Sequence, residues 1–187
     1  MNSIKKYIKS IVDISDDKLD KFLSLGKEES LSNGNYYIEF DQVCDKVSFI
    51  KKGFVRFFHV NKGEEITRDF LFENNFITSF KSYITGQPSE VYIQALDDCE
   101  LSTFKKSDII EYYDKNPKIE RLGRIIAEHQ FIAIENYFLS FLNEDAETRY
   151  KKLLERSPEL VQKIPLKYIA SFLGITPQHL SRIRKII

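Results

Sequence analysis

The sequence predicts an α+β chain: a short N-terminal helix, an antiparallel β domain, one long helix and a small helical unit at the C-terminus. Three observations carry this. Between Tyr36 and Phe104, short β-rich runs alternate with turn residues, the signature of an antiparallel sandwich or barrel. From about Lys118 to Leu142 apolar residues recur at helical spacing. Beyond Asn143-Glu144-Asp145, a natural joint, two short amphipathic segments flank a single glycine, Gly174. With 187 residues, one large or two small domains are expected. The boundaries fall at 1–115 for the β domain with its helix, 116–142 for the long helix, and 143–187 for the helical unit.

Each element has a local cause. Ser15 is placed to cap a first helix, Asp16 and Asp17 suit the positive end of its dipole, and Leu19, Phe22 and Leu23 share one face. The β runs are Tyr36–Phe40, Val47–Lys51, Phe54–Val60, Glu65–Leu71, Val91–Leu96 and Leu101–Phe104. Lys52-Gly53 and Asn61-Lys62-Gly63 are hairpin turns, since Gly and Asn accept the positive φ of a tight reversal. Strand character is lost between Phe72 and Ser89, where Gly86-Gln87-Pro88 supplies a break, and any special function of the β domain is expected there. Ser107-Asp108 opens another helix, which Asn116-Pro117 interrupts before the long one.

In the long helix Ile119, Leu122, Ile126, Ala133 and Tyr137 fall near one stripe, and Ile125, Ile132, Phe138, Leu139 and Phe141 widen it. So much apolar surface must be covered on two sides, by the chain's own β domain and by the same helix of a second subunit. Leu122, Ile126, His129 and Ala133 are the expected dimer contacts. Periodicity alone is equally consistent with a core helix of a monomer.

Composition narrows the function. The chain is 42% hydrophobic and 30% charged, with 7 Gly and 5 Pro, which is the profile of a globular domain. Its apolar runs are far too short to span a bilayer, and Met1-Asn2-Ser3-Ile4-Lys5-Lys6 lacks a signal core, so the cytoplasm is the expected location and no membrane partner is expected. Cys44 and Cys99 stand alone, without the spacing of a metal or redox motif, and no metal is expected. The 28 basic and 28 acidic residues cancel over the whole chain. From Asn143 onward, however, nine Lys/Arg face five Asp/Glu, and the stretch from Leu160 to Ile187 holds five basic residues and no acid. The C-terminal unit is therefore suited to an anion.

The segment from Leu166 to Lys185 fits a helix-turn-helix. Two short helices that cross closely need a small residue at the crossing, here Ala170, and a positive φ four residues later, here Gly174. Ile169, Leu173, Ile175, Leu180 and Ile183 fill the wedge, and Thr176-Pro177 is a cap followed by proline at the first helical position. Gln178, Ser181, Arg182 and Lys185 then project from the other face. Arg182 can donate to O6 and N7 of guanine, and Gln178 can pair with adenine. Thr176, His179, Arg184 and Lys185 suit phosphates. The competing interpretation is an ordinary helical hairpin with a solvated basic face.

On these residues the chain resembles the cyclic AMP receptor protein/FNR (Crp/Fnr) family of bacterial transcription regulators. The carrying motifs are Val47-Ser-Phe-Ile-Lys-Lys-Gly53-Phe-Val-Arg56, Glu73-Asn-Asn-Phe76-Ile77 and Ile175-Thr-Pro-Gln-His-Leu-Ser-Arg182-Ile-Arg-Lys185. The resemblance covers nearly the whole chain. It implies a cyclic-nucleotide-binding-type β-roll (a double-stranded β-helix or jelly roll), a dimerisation helix and a C-terminal DNA-binding helix-turn-helix. Its partners would be double-stranded DNA, a second copy of the chain and RNA polymerase. The family's base-contacting positions correspond to Pro177, Gln178, Ser181 and Arg182; only the arginine is the usual residue type, so a different DNA consensus is expected.

The ligand cassette departs from the pattern. Members that bind cyclic AMP carry Gly-Glu and, about ten residues on, Arg-Ser or Arg-Ala; here stand Phe76-Ile77-Thr78-Ser79-Phe80-Lys81 and Gln87-Pro88-Ser89-Glu90. A buried cyclic phosphate needs a paired charge, so cyclic AMP is not expected in the usual mode. Thr78, Ser79, Lys81 and Ser89 are the residues available to line a pocket for another, unknown effector. Two cysteines are too few for an iron–sulfur cluster, and a haem-sensing relative would want an axial histidine in the roll or long helix, where His59 and His129 stand. No catalytic constellation is present, and an enzyme is not expected. The alternative function is a ligand-binding or protein-interaction module with a degenerate helix-turn-helix, which would have no reason to keep the Gln178/Ser181/Arg182 face basic.

Overall fold

The computed structural model describes residues 3–156 and 158–185. Two helices open the chain, α1 (Ser3–Ile11) and α2 (Asp16–Leu23). Eight strands follow: β1 (Lys27–Leu31), β2 (Tyr36–Ile38), β3 (Lys46–Lys52), β4 (Val55–Asn61), β5 (Glu64–Leu71), β6 (Phe76–Ile77), β7 (Tyr92–Ala95) and β8 (Cys99–Lys105). A short helix, α3 (Phe80–Thr85), interrupts them. Then come α4 (Lys106–Lys115), the long α5 (Pro117–Asn143), α6 (Ala146–Arg156), α7 (Pro158–Lys163), α8 (Leu166–Leu173) and α9 (Pro177–Ile183). No described helix is long and apolar enough to cross a membrane.

The strands form two sheets of order β1-β8-β3-β6 and β2-β7-β4-β5, an α+β architecture built on an antiparallel roll. Alternation along each strand divides its side chains between two cores. On β3, Ile50 faces the interior of the roll with Tyr37, Val55, Ile77, Ile93 and Leu101, while Phe49 turns outward to meet Ile4, Ile8, Leu19, Phe22, Ile109, Ile119 and Leu122 from the helices. Phe104 on β8 shares that outer layer and stacks on Phe22 at 5.2 Å.

Three differences from the sequence expectation have physical reasons. The chain opens with α1, which precedes the helix read at Ser15; Ile4 and Ile8 are its buried face. Ser15 does stand at the N-cap of α2, but its side chain makes no capping bond; Asp16 instead pairs with Lys9 at 2.6 Å and ties α2 to α1. Strand β1, Lys-Glu-Glu-Ser-Leu, is exposed on both faces except at its last residue, and its partner β8 holds it through a five-residue register.

By density of internal contacts the chain divides into two compact units, residues 1–57 with 70–128, and residues 58–69 with 129–187. The second unit is thus not contiguous: it takes in the tip of the β4–β5 hairpin. Lys62 and Gly63 carry that turn at φ 52° and 83°, as a two-residue reversal between twisted strands requires.

Gly53 and Gly63 both have positive φ but sit in different surroundings. A Cβ on Gly53 would lie 2.7 Å from the Asp98 carbonyl oxygen, whereas one on Gly63 would meet nothing within 4 Å. Gly63→Ala should cost about 1 kcal/mol of unfolding free energy, the conformational term alone, and Gly53→Ala at least about 2 kcal/mol because backbone must also move. Urea unfolding of the two variants would show this order.

Candidate nucleic-acid interface

Helices α8 and α9 pack as a helix-turn-helix. Ile169, Ala170 and Leu173 of α8 and Leu180 of α9 are fully buried, and Ile183 nearly so; Ile175 is half-buried in the turn. Ala170 lies at the crossing, where a larger side chain would push the helices apart. Gly174 closes α8 in the left-handed conformation at φ 70°, and its amide donates back to the Ser171 carbonyl oxygen. A Cβ there would also fall 2.9 Å from the Phe141 ring. Thr176 is the N-cap of α9, its hydroxyl accepting the His179 amide at 3.2 Å, with Pro177 at the first helical position.

The opposite face of α9 is open. Pro177, Gln178, His179, Ser181, Arg182, Arg184 and Lys185 are all exposed. Arg184 is the C-cap of α9, and Lys185 follows in the terminal turn. Gln178, Ser181 and Arg182 are spaced by three and one, which places them on adjoining parts of one helical surface. The structure thus brings together the residues read as base contacts and those read as phosphate contacts. The Thr176 hydroxyl is already engaged as a capping acceptor and has its own proton left to donate.

A residue that sequence reasoning missed holds this unit together. The Arg149 guanidinium donates to the carbonyl oxygens of Ser140 and Glu144 at the end of α5, and to that of Leu173, the last residue of α8, at 2.8 Å. It also lies 4.4 Å from the centre of the Phe141 ring. Tyr137 packs on Phe172 at 5.3 Å and donates to its carbonyl oxygen; burial pushes this phenol up to about 12, so it stays a neutral donor. Around these side chains lies a cleft of about 130 Å³ lined by Tyr137, Ser140, Glu144, Arg149, Lys152, Leu153 and Phe172. Nothing in the sequence separates Arg149 from its basic neighbours Lys151 and Lys152.

The structure places the residues expected as dimer contacts on α5 in two settings. Leu122 is only 2% exposed and belongs to the chain's own core with Ile4, Ile8 and Phe49, and Ile126, partly buried, packs against that core. His129 and Ala133 are exposed. The open apolar stripe runs instead through Phe131 (69% exposed), Ile134 (58%), Phe138 (62%) and Leu142 (65%).

The cassette residues bond to one another and to backbone. Ser79 and Ser89 share a buried hydrogen bond of 2.8 Å, and Ser89 also donates to the Val91 carbonyl oxygen. Thr78 donates to the Lys46 carbonyl oxygen, and Lys81 pairs with Glu90 on the surface. Ser82, which sequence reasoning passed over, accepts the Cys44 amide and donates to the Gln87 carbonyl oxygen. Cys44 and Cys99 are buried free thiols, and burial pushes Cys99 up to about 11.

The sequence matches no family model and no curated protein. Solved structures do match. FixK2 from Bradyrhizobium japonicum superposes with a TM-score of 0.76 at 15% identity, over 86% of this chain and 83% of its own. CLP from Xanthomonas campestris, a c-di-GMP responsive global regulator linking cell–cell signalling to virulence gene expression, gives 0.74 at 11% identity over 92% and 91%. A protein from Eubacterium rectale assigned to the crp/fnr family of transcriptional regulators gives 0.72 at 16% identity over 93% and 83%. The chain has the fold of Crp/Fnr regulators.

Arg149→Ala should destabilise the C-terminal unit by about 2 kcal/mol, because it removes charge-assisted bonds to carbonyls that no other side chain replaces. Arg149→Lys should recover little, since an ammonium lacks the planar fork. Thermal unfolding followed by circular dichroism reads both.

Proposed function

We propose that this chain, with its Crp/Fnr fold, is a sequence-specific DNA-binding transcription regulator that acts as a homodimer. The observation that carries the proposal is the surface of α9: a capped helix presenting Gln178, Ser181 and Arg182 to solvent, with His179, Arg184 and Lys185 beside them. None of these side chains is ion-paired among the described residues, so each is available to phosphate or base. A protruding helix of this kind fits the major groove, where Arg182 reads guanine and Gln178 adenine.

The stripe Phe131, Ile134, Phe138, Leu142 supports pairing of two copies. Its three-four-four spacing is that of a helix–helix seam, and a contiguous apolar stripe this exposed calls for a partner. With two such helices paired, the recognition helices would enter successive major grooves of a pseudo-palindrome whose half-sites lie about 34 Å apart. The cassette supports a signal other than cyclic AMP in the usual mode, since Ser79 and Ser89 satisfy each other and no arginine stands where a cyclic phosphate would need one.

Selection of fragmented genomic DNA on the purified protein, at controlled salt because phosphate contacts alone bind DNA without regard to sequence, should enrich a two-fold symmetric site. Arg182→Ala should then weaken that site by roughly 1–3 kcal/mol and relax one base pair, whereas Lys185→Ala should weaken all sequences alike. Equal loss of affinity on every sequence with Arg182→Ala would remove it from base readout. Independently, Phe138→Asp should yield a monomer in sedimentation equilibrium; a dimer of unchanged affinity would place the interface elsewhere.

A further inference from the structure

The β4–β5 hairpin belongs to the same compact unit as the helix-turn-helix, and one side chain joins them. Strand β5 is at the edge of its sheet, so alternate N–H and C=O groups along it lack a neighbouring strand. Ser171, on α8, meets two of them: its hydroxyl oxygen accepts the Thr67 amide at 2.9 Å, and its proton goes to the Glu65 carbonyl oxygen at 3.1 Å. A hydroxyl supplies one donor and at least one acceptor from a single atom, so Ser171 does for this edge what one residue of a paired strand would do. Thr67 is almost fully buried.

The geometry fixes α8 from two directions. Arg149 holds its C-terminal carbonyl against the end of α5, and Ser171 holds its flank against the hairpin. Neither contact covers the α9 surface, where Gln178, Ser181, Arg182 and Lys185 stay exposed. We infer that the β4–β5 hairpin is a working part of the DNA-binding apparatus and that Ser171 is its positioning residue, setting the recognition helix relative to the Phe131–Leu142 seam. The hairpin tip carries Glu64 and Glu65 beside Lys62, so it is not itself a phosphate contact; it acts by pre-orienting α9. The inference rests on the proposed DNA-binding function and names a residue of its machinery that never touches DNA.

Pre-orientation matters only when both subunits must engage at once. Binding the second half-site is an intramolecular step, governed by the effective concentration of the second recognition helix over its groove. A looser α9 lowers that concentration while leaving each helix competent on its own. Ser171→Ala should therefore weaken binding to the full two-fold site by about tenfold and leave binding to a single half-site within about twofold. In the same variant hydrogen exchange at the Thr67 amide should accelerate in the absence of DNA. Ser171→Asp keeps an acceptor for Thr67 but sets a carboxylate against the Glu65 carbonyl oxygen, and should do no better than alanine.

Full-site affinity unchanged in both variants would overturn the proposal, as would an equal loss on full and half sites, which is the mark of a damaged fold. Unchanged Thr67 exchange in Ser171→Ala would remove the contact itself. A wild-type protein that enriches no symmetric site would instead overturn the function on which the inference rests, and the exchange measurement would still report on the hairpin contact.

Discussion

Two helix ends in this molecule turn backbone carbonyls toward the same place, and a single guanidinium answers both. The last turns of α5 and α8 each carry the negative end of a helix dipole, and Arg149 donates to Ser140, Glu144 and Leu173 while lying over the Phe141 ring. With a lysine there, one charge would remain but the fixed directions would be lost. The turn geometry depends on this pin, because Gly174 follows Leu173 directly and sits against Phe141. So does the tilt of α9, which inherits its start from that turn.

The roll solves a related problem with hydroxyls. Its interior contains Tyr37, Ser48 and Thr103, polar groups that would be costly if left unbonded. Ser48 donates to Tyr37 at 3.0 Å and lies 2.8 Å from the Thr103 hydroxyl, which in turn donates to the half-exposed carboxylate of Glu29 at 3.1 Å. The cassette repeats the device with Ser79, Ser82 and Ser89. Small hydroxyl side chains therefore tie strands and loop together here.

The legible parts of the sequence were those where one residue type has one local job. Ala170, Gly174, Thr176 and Pro177 each announce a close crossing, a positive φ or a cap, and the helix-turn-helix stands as they implied. The β4–β5 hairpin turn was readable from Asn61-Lys62-Gly63 for the same reason, whereas Lys52-Gly53, which reads as a second hairpin, turns the chain at a positive φ from β3 in one sheet to β4 in the other and closes no hairpin. What stayed hidden depends on partners distant in sequence. Strand β1 has no alternation to read and exists because β8 pairs with it. Spacing alone puts Ile119, Leu122, Ile126, Ala133 and Tyr137 of α5 near one stripe, with Ile125, Ile132, Phe138, Leu139 and Phe141 on its flanks. The helix changes its neighbours along its length: its first half is buried against α1 and α2, and its second half leaves a different face open. Arg149 and Ser171 look like ordinary members of a basic helix and an amphipathic one; only the folded backbone shows which carbonyls and amides they meet.

Because the second compact unit borrows residues 58–69 from the middle of the roll, it cannot be lifted out by cutting the chain at any one point. A fragment beginning at α5 would leave Ser171 facing water and Arg149 with its carbonyls, half of its bracing intact. Moving the helix-turn-helix into another chain would mean transplanting the hairpin as well. The unit is assembled through the order of the chain itself, from a middle segment and a terminal one.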